Sequence, residues 1–197
     1  MTLSTRALWW VVGLLLTGGC GSSPSTTFYA LAAVSGTPRQ AALGNIEVRR
    51  PGIAGYLDRT EILAAWDGQR LQTADNAGWA EPIAAMVGRV LAENLNDRLR
   101  GTIVFHASSD LSLQAGTVVE LVIRKFDLGP DGYVHLNVLA SIRGKHQASS
   151  AHPFSLQARP AATSTEAVVA TMSALLGQLA DQLAGTLLAR AAPPASL

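Results

Sequence analysis

Val118-Val119-Glu120-Leu121-Val122-Ile123-Arg124-Lys125-Phe126, followed by Gly129-Pro130-Asp131-Gly132 and then Tyr133 through Ile142, decides the fold. Val119, Leu121 and Ile123 alternate with Glu120 and Arg124, so one side of this segment is apolar and the other polar. That period of two is the mark of a half-buried strand. The Gly-Pro-Asp-Gly group is a turn, because its residues tolerate the backbone angles that reverse the chain. Tyr133–Ile142 therefore returns as a second strand, antiparallel to the first. Gly144 marks the next turn, and the more polar stretch from Lys145 to Leu156 reads as a further strand.

Working outward, Pro82 opens a helix, where its missing N–H costs nothing. Ile83, Val87, Val90, Leu91, Leu95 and Leu99 share one face of it, and Gly101 ends it. Thr102–Phe105 follows as a strand. Thr163-Ser164-Thr165-Glu166 has the spacing of a capping box. It begins a long helix carrying Val169, Met172, Leu176, Leu179, Leu183 and Leu187 in register. On the N-terminal side, Phe28–Leu31 and Ile46–Arg50 read as strands. Glu61–Trp66, Asp67-Gly68 and Gln69–Gln72 read as a hairpin. The order of strands, helix, hairpin-joined strands and helix predicts an α+β fold, a mostly antiparallel mixed sheet covered on one face by two amphipathic helices.

The N-terminus carries a different message. Arg6 precedes Leu8–Leu16, an apolar run of about nine residues, against roughly 20 for a membrane-spanning helix. A basic start, a short apolar run and the small residues Thr17-Gly18-Gly19 read as a signal peptide, residues 1–19. The chain has one cysteine, Cys20, and it stands where a bacterial lipobox requires it. A thiolate is the side chain best suited to take diacylglycerol on sulfur. Thr17 departs from the aliphatic residue usual three positions before the cysteine. Residues 20–27 are then the lipidated cysteine and a polar tether, residues 28–190 a single folded domain, and residues 191–197 a tail. Gly21, rather than Asp, follows the cysteine, which predicts the outer membrane, facing the periplasm.

Composition narrows the function further. Removing Arg6 with the leader leaves 14 basic side chains against 14 acidic ones. A near-neutral chain lacks the cationic excess with which nucleic-acid binders displace counterions. A single cysteine permits no intrachain disulfide and no cysteine-based zinc site. His146 and His152 share the polar strand but lie roughly 20 Å apart along it, too far for one zinc ion. No serine has a nucleophile-elbow context and no phosphate-binding glycine loop is present. The sequence thus predicts no catalytic residues, no metal, no cofactor beyond the acyl anchor on Cys20, and no ATPase activity.

Three features invite a contact reading. Tyr56-Leu57-Asp58-Arg59 sits on a glycine-flanked loop. It reads either as a partner contact, since Tyr and Arg are frequent interface anchors, or as a lock with Tyr56 and Leu57 packed inward and Asp58–Arg59 fixing the loop. Trp79 is a staple under the following helix or an exposed anchor. Trp66, beside its turn, stands between the same alternatives. In the C-terminal helix, Asp181 is the sole charge between Glu166 and Arg190. Its second face packs inside the chain or on another subunit.

Taken together these segments resemble the ABC-type transport auxiliary lipoproteins. The resemblance runs from the lipidated cysteine and Ser/Pro tether through Phe28–Leu31, Ile46-Glu47-Val48, Tyr56-Leu57-Asp58-Arg59 and Glu61-Ile62-Leu63. It continues through Asn76-Ala77-Gly78-Trp79-Ala80-Glu81-Pro82-Ile83 to Leu91–Leu95. Pro51 with Gly52 and Gly55 makes the loop looser than that pattern. The resemblance implies a non-catalytic accessory lipoprotein that docks an Mce-domain protein of an ABC lipid transporter at the outer membrane. It leaves room for a ring-like homo-oligomer. A periplasmic lipid-binding carrier and a structural envelope lipoprotein are the competing readings.

Overall fold

The computed structural model describes residues 25–67, 69–107, 113–145 and 148–191. The leader, Cys20 and the start of the tether, Gly68, His146 and residues 192–197 lie outside them. The fold is α+β, with two helices and mixed sheets, the largest mostly antiparallel.

Eleven strands and two helices succeed one another among the described residues. They are β1 Thr27–Tyr29, β2 Arg39–Gln40, β3 Asn45–Val48, β4 Gly52–Ile53, β5 Glu61–Asp67 and β6 Arg70–Trp79, then helix α1 Ile83–Arg98. Next come β7 Leu99–Arg100, β8 Ile103–His106, β9 Thr117–Leu128, β10 Val134–Gly144 and β11 Ser150–Ala158, then helix α2 Thr165–Ala191. The large sheet is ordered β11-β10-β9-β3-β8, with β4 also on β9. β9, β10 and β11 are antiparallel, whereas β3, β4 and β8 pair in parallel. The sequence pointed to one sheet; the strands in fact divide among three, because β1-β6-β5 and β2-β7 form separate small sheets.

The β9–β10 hairpin follows the alternation that predicted it. Val119, Leu121 and Ile123 are buried and face Ile142, Ala140 and Val138 across the ladder. A register shift at Asn137/Val138 bends the pair. The turn closes with Gly129 N–H donating to Tyr133 O at 2.7 Å, and Gly132 takes φ +77°, a region that favours glycine. β3 and β4 run along β9 as one interrupted line. The break falls at buried Pro51, which has no N–H to give the ladder. Arg49 donates to Val119 O before the break, pairing resumes with Gly52 opposite Val122, and Ala54 donates to Ile123 O beyond it, both bonds at 3.0 Å.

Both helices pack with the apolar faces the periodicity predicted, and Ile83, Val87, Val90, Leu91 and Leu95 are all buried, as are Met172, Leu176, Leu179, Leu183 and Leu187. Their ends differ in detail from the sequence reading. Pro82 caps α1, its carbonyl accepting from Ala85 and Met86 at 2.9 and 3.1 Å. α1 stops at Arg98, since Leu99 and Arg100 leave the helix to pair with β2 before Gly101, at φ +87°, reverses the chain. At the start of α2 the capping oxygen is Ser164 Oγ, which accepts from Ala167 N–H at 3.3 Å, so Thr163 and Glu166 do not form the expected box. α2 continues through Ala191. Val168, Leu175, Ala180 and Ala184 are buried as well, so α2 offers an apolar face wider than one stripe. It spends that face on α1 and on strands β9, β10 and β11. α2 is long and apolar enough to cross a bilayer, but 61% of its most apolar window is buried within this fold.

A segment that the periodicity left blank closes this core. Residues 31–36 lie as a strap over both helices. Leu31 N–H points to Met86 Sδ, Ala32 donates to Ser173 Oγ, Val34 to Asn94 Oδ1 and Gly36 to Asp97 Oδ2. Arg98, only 2% exposed, ties the three pieces together. It donates to Asp181 at 2.6 and 3.3 Å, to Val34 O at 2.9 Å and to Asn94 O at 3.0 Å. A Cβ on Gly36 would run into the Arg98 guanidinium.

Candidate functional site

The loop between β4 and β5 is a tight one. Leu57 N–H donates to Ala54 O at 2.8 Å, Asp58 to Gly55 O at 3.3 Å and Arg59 to Leu57 O at 2.9 Å. These bonds turn successive side chains in different directions. Leu57 enters the core at 3% exposure. Tyr56 is half-buried and meets Trp66 edge-to-face, with ring centroids 5.6 Å apart and planes at 72°. Asp58 and Arg59 point outward.

Beneath Tyr56 and Trp66 lies Asp127, 2% exposed at the end of β9. Trp66 Nε1–H donates to Asp127 Oδ2 at 3.1 Å. Lys125 Nζ stands 4.0 Å from Oδ1, which accepts no hydrogen bond. Burial, and then the negative charge of Asp127, push the Tyr56 phenol far above its ordinary range, so it stays a neutral donor. This cluster fixes the root of the loop. Tyr56, Leu57 and Trp66 thus pack inward, and Asp127 is a member of this cluster that the sequence reading did not single out. Its one signal was a carboxylate directly after the apolar Phe126.

The outward half of the loop meets the start of α1. Trp79 ends β6 and is buried at 6% exposure. Its N–H donates to Thr60 O at 2.7 Å, and Ala80 N–H donates to Tyr29 O at 2.9 Å. These two bonds bring Asp58, Arg59 and Thr60 against Trp79, Ala80, Glu81 and Pro82 around an open groove of about 340 Å³. Two motifs some twenty residues apart in sequence thereby share one wall. Trp79 supplies a flat apolar floor. Glu81 is held by Arg89 at 2.5 Å, which also reaches Glu93 at 3.1 Å. Arg59 makes no ion pair among the described residues and does not bond Asp58. The groove therefore offers an apolar floor beside a cation with unspent donors, an arrangement suited to recognition rather than bond-making.

The three histidines among the described residues have local partners instead. His106 Nδ1 lies 3.0 Å from Val48 O, His135 Nε2 lies 2.9 Å from Asp131, and His152 Nε2 lies 2.8 Å from Ser150 Oγ. Among the described residues no group of three or more His, Cys, Asp or Glu side chains is placed to hold a metal.

Comparison with known proteins follows the same lines. A family model described as ABC-type transport auxiliary lipoprotein component matches residues 29–184. The fold is similar to a crystal structure of an uncharacterized protein, with TM-score 0.70 and 18% identity over 83% of this chain and 99% of that one. It is also similar to protein XCC0632 from Xanthomonas campestris, of the family DUF330, with TM-score 0.68 and 22% identity over 82% of this chain and 95% of that one. A search of curated proteins gives no match.

Proposed function

The chain belongs to the ABC-type transport auxiliary lipoprotein component family, and we propose that it docks an Mce-domain protein of an ABC lipid transporter at the outer membrane, through the groove between Arg59 and Trp79. Membership makes it an auxiliary component of an ABC-type transport system, a lipoprotein held at a membrane, with transporter proteins as partners. The finer reading adds the partner, the membrane and the surface. Cys20 carries the acyl anchor, the tether lets the domain reorient, and the folded part grips a protein that spans the periplasm.

One observation carries the choice of surface: two of the motifs that carry the family resemblance converge on the groove, with Arg59 at its rim making no ion pair among the described residues. Interfaces concentrate their binding energy in buried aromatics and arginines of this kind. Trp79 is a floor and is too buried to be an anchor residue itself, so Arg59 is the side chain that reaches the partner.

The test is a crosslinked pull-down from native envelope with the full-length lipoprotein. An Mce-domain protein is expected in the eluate of the wild type. Arg59→Ala should cut its recovery about tenfold or more, the effect of a hot-spot residue, while leaving the thermal midpoint unchanged. Recovery of the lipoprotein without any transporter protein would discard the docking reading.

A further inference from the structure

The ribbon of chain that follows Cys20 is set apart by its lack of charge: no charged side chain stands between Cys20 and Arg39. Its described part is exposed from Ser25 to Phe28, at Ala30, and from Ala32 to Ser35. Two of the five exposed large apolar side chains among the described residues lie on it, Phe28 at 65% and Val34 at 36%. Phe28 is the most open of the five, yet it is held in place. β1 pairs with β6 so that Phe28 lies opposite Gly78. A Cβ on Gly78 would be 3.4 Å from the Phe28 ring, so the ring rests on that buried glycine and turns the rest of its surface to solvent. Val122, exposed on β9, is by contrast flanked two residues either way by Glu120 and Arg124.

From this pattern we infer that Phe28 and the uncharged ribbon beside it lie against the lipid bilayer that holds the Cys20 anchor, with the phenylalanine ring in the headgroup region. The inference rests on acylation of Cys20 and uses neither Arg59 nor the docking partner. Seven residues lie between Cys20 and Phe28, a stretch that spans at most about 30 Å, so the ring stays close to the membrane. A bilayer removes apolar ring surface from water, and the neutral neighbours bring no charge with it that would have to be desolvated. Nearby acids set the depth. Glu61 is exposed and stands opposite Gly78 on β5, two strand spacings or about 10 Å from Phe28. Its carboxylate stays in water only if the ring enters shallowly. At the far end of the ribbon Gly36 is bonded to Asp97, and the contact ends before it. Two or three acyl chains already supply the affinity; the ring fixes which side of the domain faces the membrane.

Fluorescence quenching tests it on the acylated lipoprotein, purified from membranes and reconstituted in vesicles of phosphatidylcholine, either plain or brominated near the head of the acyl chains. Bromine there quenches an indole that enters the boundary between headgroups and acyl chains, roughly 5–10 Å deep for interfacial side chains. Phe28→Trp puts the reporter at the ring, and Val122→Trp, on another exposed apolar position, is the control. Trp66 and Trp79, read in the wild type, set the baseline. Emission from Phe28→Trp should fall in the brominated vesicles and emission from Val122→Trp should not. Ala30→Trp keeps the phenylalanine and alters an exposed neighbour, and its emission should fall as well. Absence of quenching at either ribbon position, or equal quenching at Val122, would overturn the inference. Emission from Phe28→Trp that responds to added envelope proteins and not to bromine would assign the ring to a protein contact and count against it. Mass spectrometry of the same sample separates the two readings. A Cys20 without acyl chains would remove the anchor and this inference together, whereas acylated protein without quenching would remove this inference alone.

Discussion

Arg98 and Asp181 form an unequal pair: side-chain exposure is 2% for the arginine and 46% for the aspartate. Removing one partner therefore has different consequences from removing the other. Asp181→Ala leaves a buried guanidinium short of its counter-charge, and unpaired buried charge is strongly destabilising. Arg98→Met removes the charge from the interior and returns a half-exposed carboxylate to water. Urea unfolding should rank Asp181→Ala as the more damaging of the two, and the reverse order would refute this account of the pair. Trp66→Phe tests the other buried acid. It keeps the ring but withdraws the Trp66 N–H from Asp127 Oδ2, so the expected loss is about 1–3 kcal/mol with the Tyr56 contact retained. Asp131 gives a pH signature. The hydrogen bond from His135 holds its carboxyl below the usual carboxylate range. Such a group contributes stability that is present above the unfolded value, about pH 4, and is lost as pH falls through the lowered one. In His135→Ala this acid-side loss should shrink, which stability curves between neutral and strongly acid pH would measure.

Among the elements, the strongest periodicities were legible in the sequence and the caps and straps were not. The β9–β10 hairpin and the apolar faces of α1 and α2 follow from residue spacing alone, because a strand or helix that buries one side must write that period into its sequence. The strap 31–36 writes no period. It is held by backbone N–H groups donating to Asn94, Asp97 and Ser173, side chains that only the folded helices bring alongside. The division into three sheets was hidden for a related reason. β2 and β7 are two residues each, too short for any alternation to register. The groove was half legible: the Tyr56–Arg59 and Trp79–Pro82 motifs stood out individually, but the bonds from Trp79 to Thr60 and from Ala80 to Tyr29 that join them run between main chains. The start of α2 offers a direct test, since two adjacent hydroxyls compete for the cap. Ser164→Ala should destabilise by about 0.5–2 kcal/mol, whereas Thr163→Ala should have little effect. Equal losses would restore the capping box that the sequence suggested.

At the scale of the whole molecule, the proposed anchor at Cys20 lies only a short length of chain from the groove. Six residues lie between Cys20 and β1, and β1 touches the groove through the bond from Ala80 N–H to Tyr29 O. A stretch of that length spans at most about 25 Å. If Cys20 bears the acyl anchor proposed above, the groove is kept within a few nanometres of the membrane that holds the lipid. Two or more acyl chains bind a membrane stably, while none leaves only the surface of the domain to do so. Cys20→Ser should consequently move the protein from the membrane fraction to the soluble periplasm. Its thermal midpoint should not change, because the strap, the core and the groove are built from residues 28 onward. In a pull-down normalised to protein amount, the soluble variant should still recover the transporter partner if concentration is restored, since the groove itself is intact. A variant that stays in the membrane fraction would show that something other than Cys20 anchors the chain. One that is released but cannot bind at any concentration would mean that the lipid takes part in the interface directly.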